Sequence, residues 1–387
     1  MKQKNIIGIV LPSLVALLGV ITACGGSGGN DSSNNLPVVE LKAVTLNDML
    51  VRPWGLTFLP DNRMLVTEKD GSMLILSPDG IVMQEIVNEL PLVAASGQGG
   101  LLDVALDPDF TIDPWVYWTY AEPGTGAEVG LAGTSVARGR LVGAALQDVE
   151  VIYRQEPKVS GTGHFGSRLA FRSDKTLFVT LGERQKGDPA QDLGTTLGKV
   201  VRINRDGTLP ADNPAIAGAR PGIWSYGHRN PQGAAVRPPD GDELWISEHG
   251  PQGGDELNRI SAGGNYGWPL VSYGCNYGDP IGDACRIGGG THSPNYIEPV
   301  SYWVPTSIAP AGMIFYTGNG FPQWQGNVFM GALAGTALWR VVLSGNTEIA
   351  REPLFFNLGE RIRDVEQGPD GWIYLLTDSG KLIQIRD

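Results

Sequence analysis

Charged residues are scarce in this 387-residue chain, at 18 % of the total, and nowhere do its 29 lysines and arginines gather into a basic run. Phosphate neutralisation needs clustered cations, so a nucleic-acid partner is disfavoured. The net charge of −12 adds little beyond solubility. Cysteine is nearly missing too, with three residues, Cys24, Cys275 and Cys285. Long apolar runs are confined to Ile6–Ile21, which Pro12 interrupts, and that stretch is shorter than the roughly 20 residues of a spanning helix. What the chain does have is glycine, 54 residues, and proline, 27, too many for a helical protein and suited to short strands joined by tight turns. A hydrophobic fraction of 42 % is enough for a sizeable core.

The chain begins as an address. Lys2 and Lys4 precede the apolar run, and Ile21-Thr22-Ala23-Cys24 resembles the lipobox of bacterial lipoproteins, where the cysteine is acylated and becomes the mature N-terminus. An ordinary signal peptide is the alternative. Residues 24–37, rich in Gly, Ser, Asn and Asp, read as a flexible tether, leaving 38–387 as the folded domain. Export to the periplasm or cell surface follows, with lipid at Cys24 as the sole membrane attachment. Cys275 and Cys285 flank a Gly- and Pro-containing stretch, and an exported protein permits a disulfide between them.

One phrase recurs through the domain: a glycine, alternating apolar residues, a Pro-Asp-Gly type of turn, then an apolar strand ending in Thr or Glu. It begins near Trp54, Gly100, Arg168, Gln232, Ala311 and Ile362. Further alternating runs follow several copies, as at Ser72–Leu76, Lys199–Ile203 and Lys381–Ile385. Period-two alternation marks strands buried on one face. Two stacked β-domains would explain the alternation but not one phrase repeated six times. The spacing, about 58 residues per copy, predicts an all-β, six-bladed β-propeller of four-stranded antiparallel blades.

Propellers gather the entries of their repeats around one channel mouth. Unusual residues sit at those entries: Gln98 in Ser-Gly-Gln-Gly-Gly, His164 in Gly-Thr-Gly-His-Phe-Gly, Arg229 and Asn230 in Tyr-Gly-His-Arg-Asn-Pro-Gln-Gly, and Arg361 and Arg363 with strand spacing. Each alone could be a hydrogen-bonded turn or an ion-paired face. Together they suit a planar polyanion. Glu248 through Asn258, with Asn265-Tyr266-Gly267-Trp268-Pro269, supplies hard oxygen ligands of the kind calcium takes, though it is no EF-hand.

These segments, in this order, resemble the soluble glucose dehydrogenase and aldose sugar dehydrogenase family, whose cofactor is pyrroloquinoline quinone. The Tyr-Gly-His-Arg-Asn-Pro-Gln-Gly and Glu-His-Gly-Pro-x-Gly-Gly-Asp-Glu motifs carry most of the likeness. The resemblance implies that His164 is the general base on the anomeric hydroxyl of an aldose, with hydride passing to the quinone and a lactone leaving. It implies Arg229 at the quinone oxygens, Gln98, Asn230 and Tyr277 as further cofactor contacts, and Arg361 and Arg363 on its carboxylates. Gly250 and Pro251 match carbonyl ligands of a calcium at the quinone, and Glu256 and Tyr266 a second, structural calcium. A periplasmic electron acceptor, cytochrome or quinone, would take the electrons onward. The sequence departs from the family twice. The loop before the fifth repeat, Val304–Ala309, has no lysine, so Thr306 and Ser307 stand there as the cofactor contacts; Gly163 replaces an aspartate of the glucose-specific branch, which favours broad aldose specificity. A calcium-dependent propeller lactonase and a non-catalytic binding propeller are the rival readings.

Overall fold

The computed structural model describes residues 17–18, 41–86, 89–239 and 241–387. The expected signal segment and Cys24 lie outside the described residues, apart from Leu17–Leu18. Among the described residues no helix is long and apolar enough to cross a membrane.

Six antiparallel sheets form the six predicted blades. Their innermost strands are Pro53–Phe58, Leu101–Leu106, Gly166–Phe171, Pro231–Arg237, Pro310–Phe315 and Ile362–Gln367. Each repeated phrase is therefore the inner strand pair of one blade. Lys42–Asn47 is the exception to the chain order. It pairs with Leu382–Arg386 and becomes the outer strand of the last blade, so the two ends of the domain close the ring. Leu17–Leu18 pairs beyond it with Lys42 and Ala43.

The middle strands differ from the one-sided burial that alternation suggests. Met64–Glu68, Leu177–Leu181, Val328–Ala332 and Ile373–Thr377 are buried at every position. Blades pack face to face, so a middle strand has protein on both sides. Exposure gathers on outer strands, as in Thr347–Leu354, where every position but Leu354 is at least partly open. An apolar cluster fills each gap between consecutive blades. Leu65, Ile75 and Trp118 join the first two, and Leu56, Val66 and Leu376 close the sixth onto the first. Each wholly buried Leu or Ile contributes roughly 1.5–3 kcal/mol.

All six inner strand pairs carry a register shift near the start of the innermost strand. Bulges leave an unpaired residue and bend the strand. The hydroxyl that ends several of the repeated phrases satisfies these bulges. Thr119 Oγ1 accepts from Asp103 N at 2.9 Å and donates to Ser167 O of the next blade at 2.8 Å. Thr67 does the same between Gly55 and Leu102, and Thr180 between Arg168 and Pro231. Blade is stitched to blade at the channel wall.

The channel itself is filled by polar groups. Arg168 pairs with Asp103 at 2.9 Å and Asp364 at 2.7 Å, and donates to the carbonyls of Gln232 and Arg363. Asp364 also accepts from Leu56 N at 2.9 Å. One guanidinium thereby ties together five blades. Gly312 is required beside it, because a Cβ there would collide with Asp364 Oδ1.

Candidate active site

The repeat entries converge on one end of the channel, as the repeats predict. His164 lies just before the third inner strand, in the left-handed region at φ 51°. Three bonds hold it there. Its N–H donates to Gln98 Oε1 at 2.7 Å, its carbonyl accepts from Arg184 N at 3.1 Å, and Nδ1 meets Glu183 Oε1 at 2.6 Å. Arg184 is wholly buried, lies 3.6 Å over the Phe165 ring, and donates to the carbonyls of Ala132, Gly161 and Gly163. The loop that presents the imidazole is thus clamped from below.

Burial pushes the His164 imidazole below its ordinary pKa, and Arg229 pushes the same way, against the bond from Glu183. Glu183 is itself disfavoured as an anion by burial. His164 and the backbone N–H groups of Gly187 and Lys186 outweigh that and hold its carboxyl low. The result is an ionised carboxylate fixing a neutral imidazole, which places the ring proton on Nδ1 and leaves Nε2 as a base. Sequence reading missed Glu183. Its only local sign is an acidic residue directly after an apolar strand, Leu177–Leu181-Gly182.

Gln98, which holds His164, also lines a hollow of about 400 Å³ with Arg361, Arg363, Lys69, Gln232, His249 and Trp54 among others; His164, Glu183 and Arg229 do not line it. Both arginines reach Asp378, at 2.9 and 3.0 Å, and Arg363 also donates to Gln232 Oε1 at 2.9 Å. The bulge between Ile362 and Asp364 turns the buried Arg363 into the channel, while Arg361 stays exposed. Arg229 is buried over Trp268, with its centre 5.1 Å from the ring. It contacts His249 O and Tyr277 Oη at 3.4 Å each, and its Nε is buried without a partner. Among the described residues no carboxylate lies within ion-pair distance of it. A buried guanidinium with no carboxylate partner and an orphaned donor suits an anionic ligand.

The remaining predicted contacts divide. Tyr277 is 72 % exposed, and among the described residues its hydroxyl bonds only Arg229. Asn230 is fully buried, accepting from Gly166 N at 3.1 Å and lying 3.4 Å from His249 Nδ1, so it reaches the hollow only through His249. Thr306 is exposed and does not line the hollow. Ser307 donates to Asp255 Oδ2 at 2.7 Å. That same carboxylate takes the N–H groups of Ile308 and Ala309, while Oδ1 takes Gly250 N. Asp255 therefore welds the Gly250 turn to the loop before the fifth blade.

Gly250, Glu256 and Tyr266 meet at a small cavity of about 10 Å³, with Glu248 and His292; Pro251 does not line it. That is room for about one water or ion. Two buried carboxylates, Glu248 and Glu256, line it, and the Asn258 Nδ2 donates to both at 3.0 Å. These oxygens fit a hard cation. Among the described residues no three His, Cys, Asp or Glu side chains converge as a metal site, so backbone carbonyls would have to complete it. Among the described residues a hydrolase metal ringed by acidic side chains finds no counterpart. Cys275 and Cys285 are joined in a disulfide across the adjoining loop, their Cα atoms 5.1 Å apart.

Residues 50–384 match the family described as Glucose / Sorbosone dehydrogenase. The chain belongs to that family. It is 44 % identical over 349 residues to the aldose sugar dehydrogenase YliI of Escherichia coli, covering 88 % of this chain and 91 % of the relative. Among solved structures, a glucose dehydrogenase superposes with a TM-score of 0.82 at 45 % identity, over 89 % of this chain and 98 % of that one. An aldose sugar dehydrogenase from Streptomyces coelicolor, solved in its PQQ-bound form, superposes at 0.71 with 27 % identity, over 90 % and 99 %. The glucose / sorbosone dehydrogenase fold thus accounts for the whole ring.

Proposed function

We propose that this protein oxidises aldose sugars at the anomeric carbon to lactones, using pyrroloquinoline quinone. The reading rests on one juxtaposition: a neutral imidazole backed by a carboxylate is held by Gln98, which also lines a hollow whose cations exceed its anions. The bound quinone would supply the two-electron acceptor. His164 would take the anomeric hydroxyl proton on Nε2, and Glu183 would hold the ring while it carries the charge. Arg229, without an anion of its own, would stabilise negative charge developing at the acceptor. Arg361 and Arg363 would hold cofactor carboxylates by planar, charge-assisted bonds. Calcium would be held by carbonyl oxygens at Gly250 and Pro251, with Glu256 and the Tyr266 carbonyl serving a second ion. Reconstituted with quinone and calcium, the protein should reduce an artificial dye in the presence of glucose or other aldoses. No turnover with any aldose by a fully loaded sample ends the proposal.

We further propose that the protein is exported and lipid-anchored at Cys24, with electrons passing to a periplasmic cytochrome or quinone. The lipobox-like Ile21–Cys24 and the Gly/Ser/Asn tether support this. Labelling with a radioactive fatty acid that Cys24→Ser abolishes is the expected result; an unlabelled wild type would remove the anchor.

A further inference from the structure

The hollow contains a cation that neither the repeats nor the family likeness singled out. Lys69 follows the second strand of the first blade, Met64–Glu68, and lines the hollow opposite none of its usual partners. Its Nζ donates to Gly97 O at 2.6 Å, which uses one of its three N–H bonds. Among the described residues no carboxylate lies within ion-pair distance. The nearby acids are committed elsewhere: Asp70 pairs with Arg52 at 2.9 Å, and Asp378 is shared by Arg361 and Arg363. Burial first, then repulsion from Arg363 and Arg52, lowers the ammonium to about 8, with Asp378 and Asp70 opposing weakly.

Three cations face one carboxylate in this hollow, and Lys69 is the one that carboxylate does not pair with. Holding it there is unfavourable without an anion. The loop before the fifth blade cannot supply that charge to a ligand. It has no lysine, and Ser307 is bonded to Asp255.

We propose that Lys69 is this chain's ammonium ligand for the quinone, donating to one of its carboxylates from the first blade in place of a lysine on the loop before the fifth. It also ties the cofactor to the Gly97–Gln98 turn, and through Gln98 to His164. The inference rests on the dehydrogenase reading, and the experiment separates the two. Pyrroloquinoline quinone is titrated, with calcium chloride, into apo wild type, Lys69→Gln and Lys69→Arg, following quinone absorbance. Lys69→Gln should weaken binding about 10- to 100-fold, as for loss of a charge-assisted hydrogen bond. Lys69→Arg should bind nearly as wild type. Apo Lys69→Gln should melt no lower than wild type, because a like-charge contact is relieved. Wild-type affinity should fall between about pH 8 and 10 as Lys69 deprotonates, whereas that of Lys69→Arg should stay level. Equal affinity of wild type and Lys69→Gln, with the same pH profile, overturns the role of Lys69 alone. A wild type that binds no quinone overturns both proposals.

Discussion

His164 shows how much surrounding structure one reactive side chain requires. A β-carbon in the left-handed region is unfavourable by about 1–2 kcal/mol, and Gln98, Arg184 and Glu183 together hold it there. His164→Ala should abolish dye reduction by the loaded enzyme, and Glu183→Gln should lower kcat by roughly 100-fold or more. The pH dependence follows from the direction of the shift. A base works deprotonated, so activity is lost as pH falls through the pKa of His164. Burial lowers that pKa, so the acid limb of kcat/KM should lie below the ordinary value of about 6.5. Glu183 favours the protonated ring, so Glu183→Gln should move the limb further to acid. A limb at or above pH 7 would contradict the assignment. His164 was legible because a histidine in a glycine-rich repeat entry stands out. Glu183 and Lys69 were not, because each is an ordinary strand-end residue until folding sets it beside the histidine or the hollow.

At the level of strands, the repeated phrase encodes more than alternation. The hydroxyl at its end satisfies a bulge N–H and reaches a carbonyl of the next blade, as Thr119 does between Asp103 and Ser167. Thr119→Val keeps the shape and leaves both groups unpaired in a buried wall. It should lower stability by about 1–3 kcal/mol in urea unfolding, with no change in quinone affinity. Stability within 0.3 kcal/mol of wild type would show that the stitch is redundant. The turn residues and strand pairs were readable because period and turn chemistry are local. The bulges were not. They arise where six inner strands crowd one axis, and nothing within a single strand announces that crowding.

Two features belong to the ring as a whole. Arg168 joins residues of five blades, and its removal would strand Asp103 and Asp364 without a counter-ion. Glu366, pushed well above the ordinary carboxylate range by burial and then by Asp364 and Asp103, completes this acidic wall. Arg168→Met should cost about 3–5 kcal/mol, read by chemical denaturation. Closure depends on Lys42–Asn47. A chain beginning at residue 48 loses that strand and uncovers Ile383 and Ile385 of the last blade, which Leu41 and Ala43 help to bury. It should melt lower than the chain beginning at residue 38 and aggregate on heating. An unchanged melting temperature would show that the outer strand is dispensable.

Strand period, turn chemistry and sixfold recurrence are properties of neighbouring residues, so the amino-acid order alone determined the blades, their number and the loops that carry the site. Distances between loops are not local quantities. Only ring closure decided that a lysine of the first blade, an arginine of the fourth and two of the last would share one end of the channel with the histidine of the third. Like charges share the hollow because the ring fixes the loops that carry them, against their mutual repulsion.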